Sequence, residues 1–128
     1  AAIPAMQRRG GGTIIFIASQ LAHVASAGRP AYCASKGGLV QFARVLAVDH
    51  AADNIRVNTL SPGGVATVRL ERRYGSLDNA RAVLDAKHPL GRIAEVEEIA
   101  RAALFLATEQ SSFMTGADLL VDGGYCAV

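Results

Sequence analysis

Three side chains within one short stretch of the 128-residue chain could do chemistry: Ser19, then Tyr32 thirteen positions on, then Lys36 one helical turn later. Residues four apart on a helix lie on one face, so Tyr32 and Lys36 address a single bound molecule if this segment is helical. A phenol ordinarily titrates near about 10 and is a poor proton-transfer group at neutral pH, but a neighbouring ammonium stabilises the phenolate and brings such a group toward its working range. Tyr32 is then the candidate acid/base. Ser19, at the end of an apolar run, offers a hydroxyl to a substrate oxygen whose charge changes during reaction. The Tyr-x-x-x-Lys pair alone arises by chance in roughly one chain in twenty of this composition, so its weight comes from its surroundings.

Those surroundings read as alternating strands and helices. Residues 1–9, AAIPAMQRR, resemble the last turns of a helix with a basic end, and Gly10-Gly11-Gly12 the turn into a strand. A phosphate-binding loop follows a strand and opens a helix, the reverse of this order. Thr13 to Ala18, TIIFIA, is an unbroken apolar run rich in β-branched residues, which predicts a strand covered on both faces in a parallel sheet. Residues 20–31, with Gly28 and Pro30, predict a loop. From Tyr32 to His50, Leu39, Ala43, Leu46 and Ala47 form one helical stripe, and Phe42 and Val45 widen it to a surface that implies burial on two sides.

Ile55 to Leu60 predicts the second strand, ended by Ser61-Pro62-Gly63-Gly64, where missing β-carbons let backbone approach a ligand. Residues 68–90 are polar, mixed in sign and interrupted by Gly75 and Pro89, so they predict one or two loosely fixed helices forming a lid or a specificity loop. Glu95 to Thr108 is amphipathic, with Val96, Ile99, Ala103, Leu106 and Ala107 on one side, and Leu119 to Val121 is a short strand closed by Asp122-Gly123-Gly124. This alternation means an α/β fold with a parallel sheet, whose ligands bind beyond the C-terminal ends of the strands. Ser19 and Pro62-Gly63 both fall there.

The run TIIFIASQLAHVASAGRPAYCASKGGL resembles the active-site segment of the short-chain dehydrogenase/reductase family, and NIRVNTLSPGGVAT and FMTGADLLVDGGY resemble its following strands and C-terminal end. The resemblance implies that residues 1–128 are one partial domain, the C-terminal half of a Rossmann-like three-layer αβα fold with about three strands present and the N-terminal dinucleotide-binding half absent. It further implies an NAD(P)-dependent oxidoreductase interconverting a secondary alcohol and a ketone, in which Ser19 orients the substrate oxygen, Tyr32 exchanges the proton, and Lys36 also holds the nicotinamide ribose. Pro62, Gly63, Val65 and Thr67 match positions that the family uses beside the nicotinamide carboxamide. The implied cofactor is NAD or NADP, the implied partners a small-molecule alcohol or ketone and further copies of the chain, as a homo-oligomer (dimer or tetramer). The family's Gly-rich phosphate loop and its catalytic Asn lie upstream of this segment, and no Asn precedes Ser19. The alternative is a truncated, non-catalytic remnant that acts only by assembling with relatives.

Composition bounds the other classes. With 51% hydrophobic residues and a mean hydropathy of +0.25 the chain is neither disordered nor fibrous. A net charge of +2, with Lys and Arg scattered apart from Arg8-Arg9 and Arg72-Arg73, gives no footprint for nucleic acid or an anionic membrane. Cys33 and Cys126 lie far apart with no Cys-x-x-Cys, favouring free thiols; Cys33 reads as a small packing residue. His23, His50 and His88 lack metal spacing and read as surface or loop histidines, so no metal is expected. The apolar runs are short of a membrane span and no signal-peptide pattern opens the chain, so the cytoplasm is expected.

Dinucleotide affinity in such folds comes largely from a Gly-rich turn gripping the pyrophosphate after the first strand, and no strand here is followed by that pattern. These 128 residues alone are therefore expected neither to bind NAD(P) tightly nor to catalyse hydride transfer. Calorimetric titration with NADH and NADPH checks this, and micromolar affinity would overturn it.

Overall fold

The β-branched run after the glycine turn does form a strand, and two more strands join it in register. The computed structural model describes residues 2–128. Its elements are α1 (Ala2–Arg8), β1 (Gly12–Ile17), α2 (Pro30–His50), β2 (Ile55–Pro62), α3 (Val68–Tyr74), α4 (Leu77–Leu84), α5 (Val96–Ala107) and β3 (Asp118–Val121), with short 3-10 turns between them. The sheet is parallel throughout, in the order β1-β2-β3. Gly12 pairs with Ile55 and Ile17 with Leu60, while Thr59 pairs with Asp118 and Pro62 with Val121. Every strand thus ends on the same side of the sheet.

Successive strand residues face opposite sides, and β2 shows what each side is for. Ile55 and Val57 pack with Ala43 and Ala47 of α2, joined by Ile14 and Phe16 of β1 and by Ile3 and Met6 of α1. Arg56 and Asn58 point the other way. Arg56 donates to the carbonyls of Leu106, Thr108 and Met114 and to the Ser111 hydroxyl, at 3.0 to 3.4 Å. It thereby satisfies carbonyls left open at the C-terminus of α5, where a positive charge also suits the helix dipole. Asn58, fully buried, donates to the Met114 carbonyl and accepts from the Ala117 amide, which fixes the approach to β3. Helices therefore cover both faces, giving the αβα layering of a Rossmann-like fold.

Helix boundaries follow local chemistry. Pro30 opens α2 at its first position, where its missing N–H leaves nothing unpaired. The Glu95 side chain accepts from the Glu98 amide and the Glu98 side chain accepts from the Glu95 amide, a reciprocal cap that starts α5. The Arg92 guanidinium bonded to it, helped by that amide, holds the Glu98 carboxyl down at about 2.

Three features refine the sequence expectations. The run that forms β1 reads as a strand covered on both faces of a wider sheet; in the three strands described its residues are only partly buried and Ile17 is 49% exposed. It is an edge strand among the described residues, and one neighbour cannot cover a strand whose sequence is apolar on both sides. On α2 the stripe includes Val40 as well as Ala43 and Ala47, while Phe42 and Val45 are about half exposed in the single chain, Phe42 meeting Phe16 edge-on at 5.7 Å between ring centroids. On α5, Leu106 is fully buried but Val96 and Ala107 are exposed.

Replacing Arg56 with Leu should cost about 2–3 kcal/mol, because a charged donor serving several carbonyls is lost and those carbonyls remain part-buried. Urea unfolding of the protein measures it, and an unchanged midpoint would refute the capping role.

Candidate active site

Where β1 ends, the chain turns into a short 3-10 segment and then into α2. Ser19 caps that segment with extended backbone, its Oγ accepting from the Leu21 amide at 3.2 Å, and it is buried. Accepting that bond leaves the hydroxyl hydrogen free to donate elsewhere. Tyr32 and Lys36 lie one turn apart at the start of α2. Lys36 Nζ donates to the Ile17 carbonyl at 2.7 Å and stands 5.9 Å from the Tyr32 ring centroid. The peptide geometry explains this reach. The Ala18 N–H points at β2, bonding to the Leu60 carbonyl, so the Ile17 carbonyl of the same trans peptide points the opposite way, toward the open edge of β1. Lys36 satisfies it there.

The facing wall is the end of β2. The Gly63 amide continues the ladder to the Val121 carbonyl, and a β-carbon at Gly63 would come within 2.8 Å of both the Asp122 Cα and Gln20 Oε1. A β-carbon at Gly64 would meet Ile93 at 2.7 Å and His88 at 3.0 Å. His88 was expected at the surface or in a loop; it ends a 3-10 turn but is only 3% exposed. Its Nε2 accepts from the Gly64 amide at 3.1 Å and its Nδ1 faces the Leu84 carbonyl at 2.8 Å. An amide donor on one nitrogen and a carbonyl acceptor on the other require the neutral ring with the proton on Nδ1. His88 thus ties the end of α4 to the glycine turn.

Below the glycines, Asp122 accepts from the Gly124 and Cys126 amides. Burial pushes its carboxyl up, but the bonds from Cys126 and Gly124 outweigh this and hold it below the ordinary carboxylate range. Burial, with the Asp122 carboxylate beside it, pushes the Cys126 thiol up to about 12, so it is no nucleophile.

The lid is α3 and α4. Ser19, Tyr32, Lys36, Pro62, Gly63, Val65 and Thr67 all line one cleft of about 430 Å³, and Arg69, Leu70, Arg73 and Tyr74 of α3 close its far side. The Arg69 guanidinium lies 5.7 Å from the Tyr32 ring centroid. Every residue that the sequence or the resemblance marked as catalytic or cofactor-binding therefore lines this one cleft. Gln20, Arg69, Arg73 and His88 were not anticipated; only the four-residue spacing of Arg69 and Arg73 could have flagged any of them. Among the described residues no group of His, Cys, Asp and Glu is arranged to hold a metal ion.

A family model described as Enoyl-(Acyl carrier protein) reductase matches residues 1–126. The chain belongs to the short-chain dehydrogenase/reductase family. It is 42% identical over 123 residues to cis-4-hydroxycyclohexanecarboxylate dehydrogenase of Sinomonas cyclohexanicum, covering 96% of this chain and 48% of that one. It is 45% identical over 121 residues to D-threitol dehydrogenase of Mycolicibacterium smegmatis, covering 94% and 45%. A short-chain type dehydrogenase/reductase from Mycobacterium marinum superposes with a TM-score of 0.89 at 39% identity, over 99% of this chain and 50% of that one. The chain thus spans about half the length of these short-chain dehydrogenase/reductase relatives.

The family implies a nicotinamide dinucleotide, and the cleft fits one end of it. Gln20 Oε1 is buried without a partner, an acceptor placed for an amide or hydroxyl donor. Ser19, Tyr32, Lys36 and Thr67 add donors suited to the hydroxyls of a ribose.

Replacing His88 with Ala should cost about 1–3 kcal/mol by leaving the Gly64 amide without an acceptor, and should raise KM by loosening the glycine turn. Denaturant midpoints and steady-state kinetics of the full-length protein check it; His88→Ala matching wild type in both would show that the tie does not hold the turn.

Proposed function

We propose that this chain is the catalytic part of an NAD(P)-dependent oxidoreductase that interconverts a secondary alcohol and a ketone. The observation that carries the reading is the convergence of Ser19, Tyr32 and Lys36 on one cleft, with the Pro62-Gly63 turn opposite. The dehydrogenase names of the relatives favour the same reaction class.

Tyr32 is the acid/base: its phenolate oxygen takes up the alcohol proton in oxidation, and the resulting hydroxyl gives a proton back in reduction. Ser19, its lone pair committed to the Leu21 amide, donates its hydrogen to the substrate oxygen and stabilises charge that builds there. Lys36 sits with its ammonium beside the Tyr32 ring and holds the ribose hydroxyls of NAD or NADP. Pro62, Gly63, Val65 and Thr67 border the carboxamide, and Gln20 Oε1 accepts from that end. When bound, the nicotinamide supplies the two-electron, hydride-accepting chemistry.

Residues 1–128 are, in this reading, one partial domain that relies on a dinucleotide-binding half for its grip on the pyrophosphate. Phe42, Val45 and Val48 of α2, exposed by 53%, 49% and 80%, suit packing against a second copy in a homo-oligomer. The two free cysteines suit a reducing, cytoplasmic compartment.

In the full-length protein Tyr32→Phe should lower kcat by about 10² or more while binding of NADH or NADPH, read by fluorescence, survives. Retention of more than about a tenth of the wild-type kcat would remove Tyr32 from the acid/base role.

A further inference from the structure

Four residues around the cleft are cationic, Arg29, Lys36, Arg69 and Arg73, and no aspartate or glutamate lines it. This excess is local, since the whole chain carries only +2. Lys36 is engaged by the Ile17 carbonyl. Arg29, Arg69 and Arg73 make no ion pair among the described residues, whereas Arg81 and Arg92, a little further along, each hold a glutamate at 2.7 Å. Arg69 and Arg73 are one turn apart on α3, hence on one face, and that face meets the cleft. The acids nearest them in sequence, Glu71 and Asp78, do not line it.

A guanidinium carries five N–H donors in a fixed fork that matches a carboxylate or phosphate. Arg69 lies against the Tyr32 ring and Arg73 against the Tyr74 ring at 5.5 Å, contacts that orient each group while leaving its donors unspent. A pair of oriented, unneutralised forks facing a cleft is a receptor for an anion.

Building on the oxidoreductase reading, we propose that the substrate is itself anionic, its carboxylate or similar oxyanion held by Arg69 and Arg73 of the lid while its alcohol or ketone oxygen meets Tyr32 and Ser19. The other source of such an anion is the pyrophosphate of the cofactor. Position favours the substrate: Arg69 stands over the ring of the proton-transfer residue, whereas a pyrophosphate is gripped at the Gly-rich turn after the first strand of such folds. Gathering the anion onto α3 also draws the lid over the reacting oxygen, so charge recognition and closure become one event.

The test uses the full-length protein with NAD and NADP and three matched pairs of hydroxy acid and neutral amide: 4-hydroxycyclohexanecarboxylate, 3-hydroxybutyrate and mandelate, each against its carboxamide. For any pair that is oxidised, kcat/KM should favour the acid by about tenfold or more, and the ratio should shrink as ionic strength rises from roughly 0.01 M to roughly 0.5 M. Arg73→Gln should collapse the acid-to-amide ratio toward one, and Arg73→Lys should restore part of it, with thermal unfolding confirming that both variants fold. Equal use of acid and amide overturns the proposal, as does an Arg73→Gln variant that raises KM for the cofactor without changing the ratio. Oxidation of no member of any pair overturns the oxidoreductase reading, and the anionic substrate with it.

Discussion

Parallel pairing of β1 with β2, Ile17 opposite Leu60, is the constraint on which the rest depends. Because both strands run the same way, the residues just past each strand emerge at the same rim, and Ser19 and Gly63 come to line the same cleft. An antiparallel or slipped pairing would send one of them to the far end of the sheet or turn its side chains to the wrong face. The crossover through α2 is the price of a parallel pair, and the chain uses it: the first turns of that crossover carry Tyr32 and Lys36 back to the same rim.

The floor of the site is held by polar groups that the hydrophobic pattern does not show. Thr59, Ser61 and His23 all bond to the Asp118 carboxylate, Ser61 and His23 at 2.7 and 2.8 Å, joining β2, β3 and the loop after Ser19. Asn58 and Arg56 do the same for the turn into β3 and the end of α5. Buried polar groups left unpaired are costly, so once these partners are in place alternative registers of β3 are strongly disfavoured.

The sequence was legible wherever a period or a motif was complete. The strand TIIFIA, the second strand and the helix from Glu95 could all be read, because alternation and capping are local properties, and the family resemblance brought Ser19, Tyr32 and Lys36 together before the cleft showed them side by side. What escaped depends on partners distant in sequence. His88 looks like any loop histidine until Gly64, twenty-four residues earlier, is seen to need an acceptor. Arg56 looks like an exposed strand residue until the carbonyls at the end of α5 are placed beside it. The partial burial of β1 follows from its place at the edge of the three described strands, since its apolar run suits the interior of a wider sheet.

The same contrast in contacts separates the two halves of the lid. α4 is fastened by its fully buried Ala80, by Asp85 accepting from the Ile93 amide at 2.8 Å, and by the buried His88 beyond it. α3 contains no buried residue, and its Arg69 guanidinium rests on the Tyr32 ring of α2, a contact worth about 0.5–1 kcal/mol at an exposed site. Gly75, in the left-handed region at φ 85°, and Ser76, which caps α4 by accepting from the Asn79 amide, lie between them. A weakly held helix, a permissive glycine and an anchored helix in that order make α3 the part of this wall that is least tightly fixed. The anchored α4, through His88, ties the glycine turn to a part of the chain that does not depend on α3.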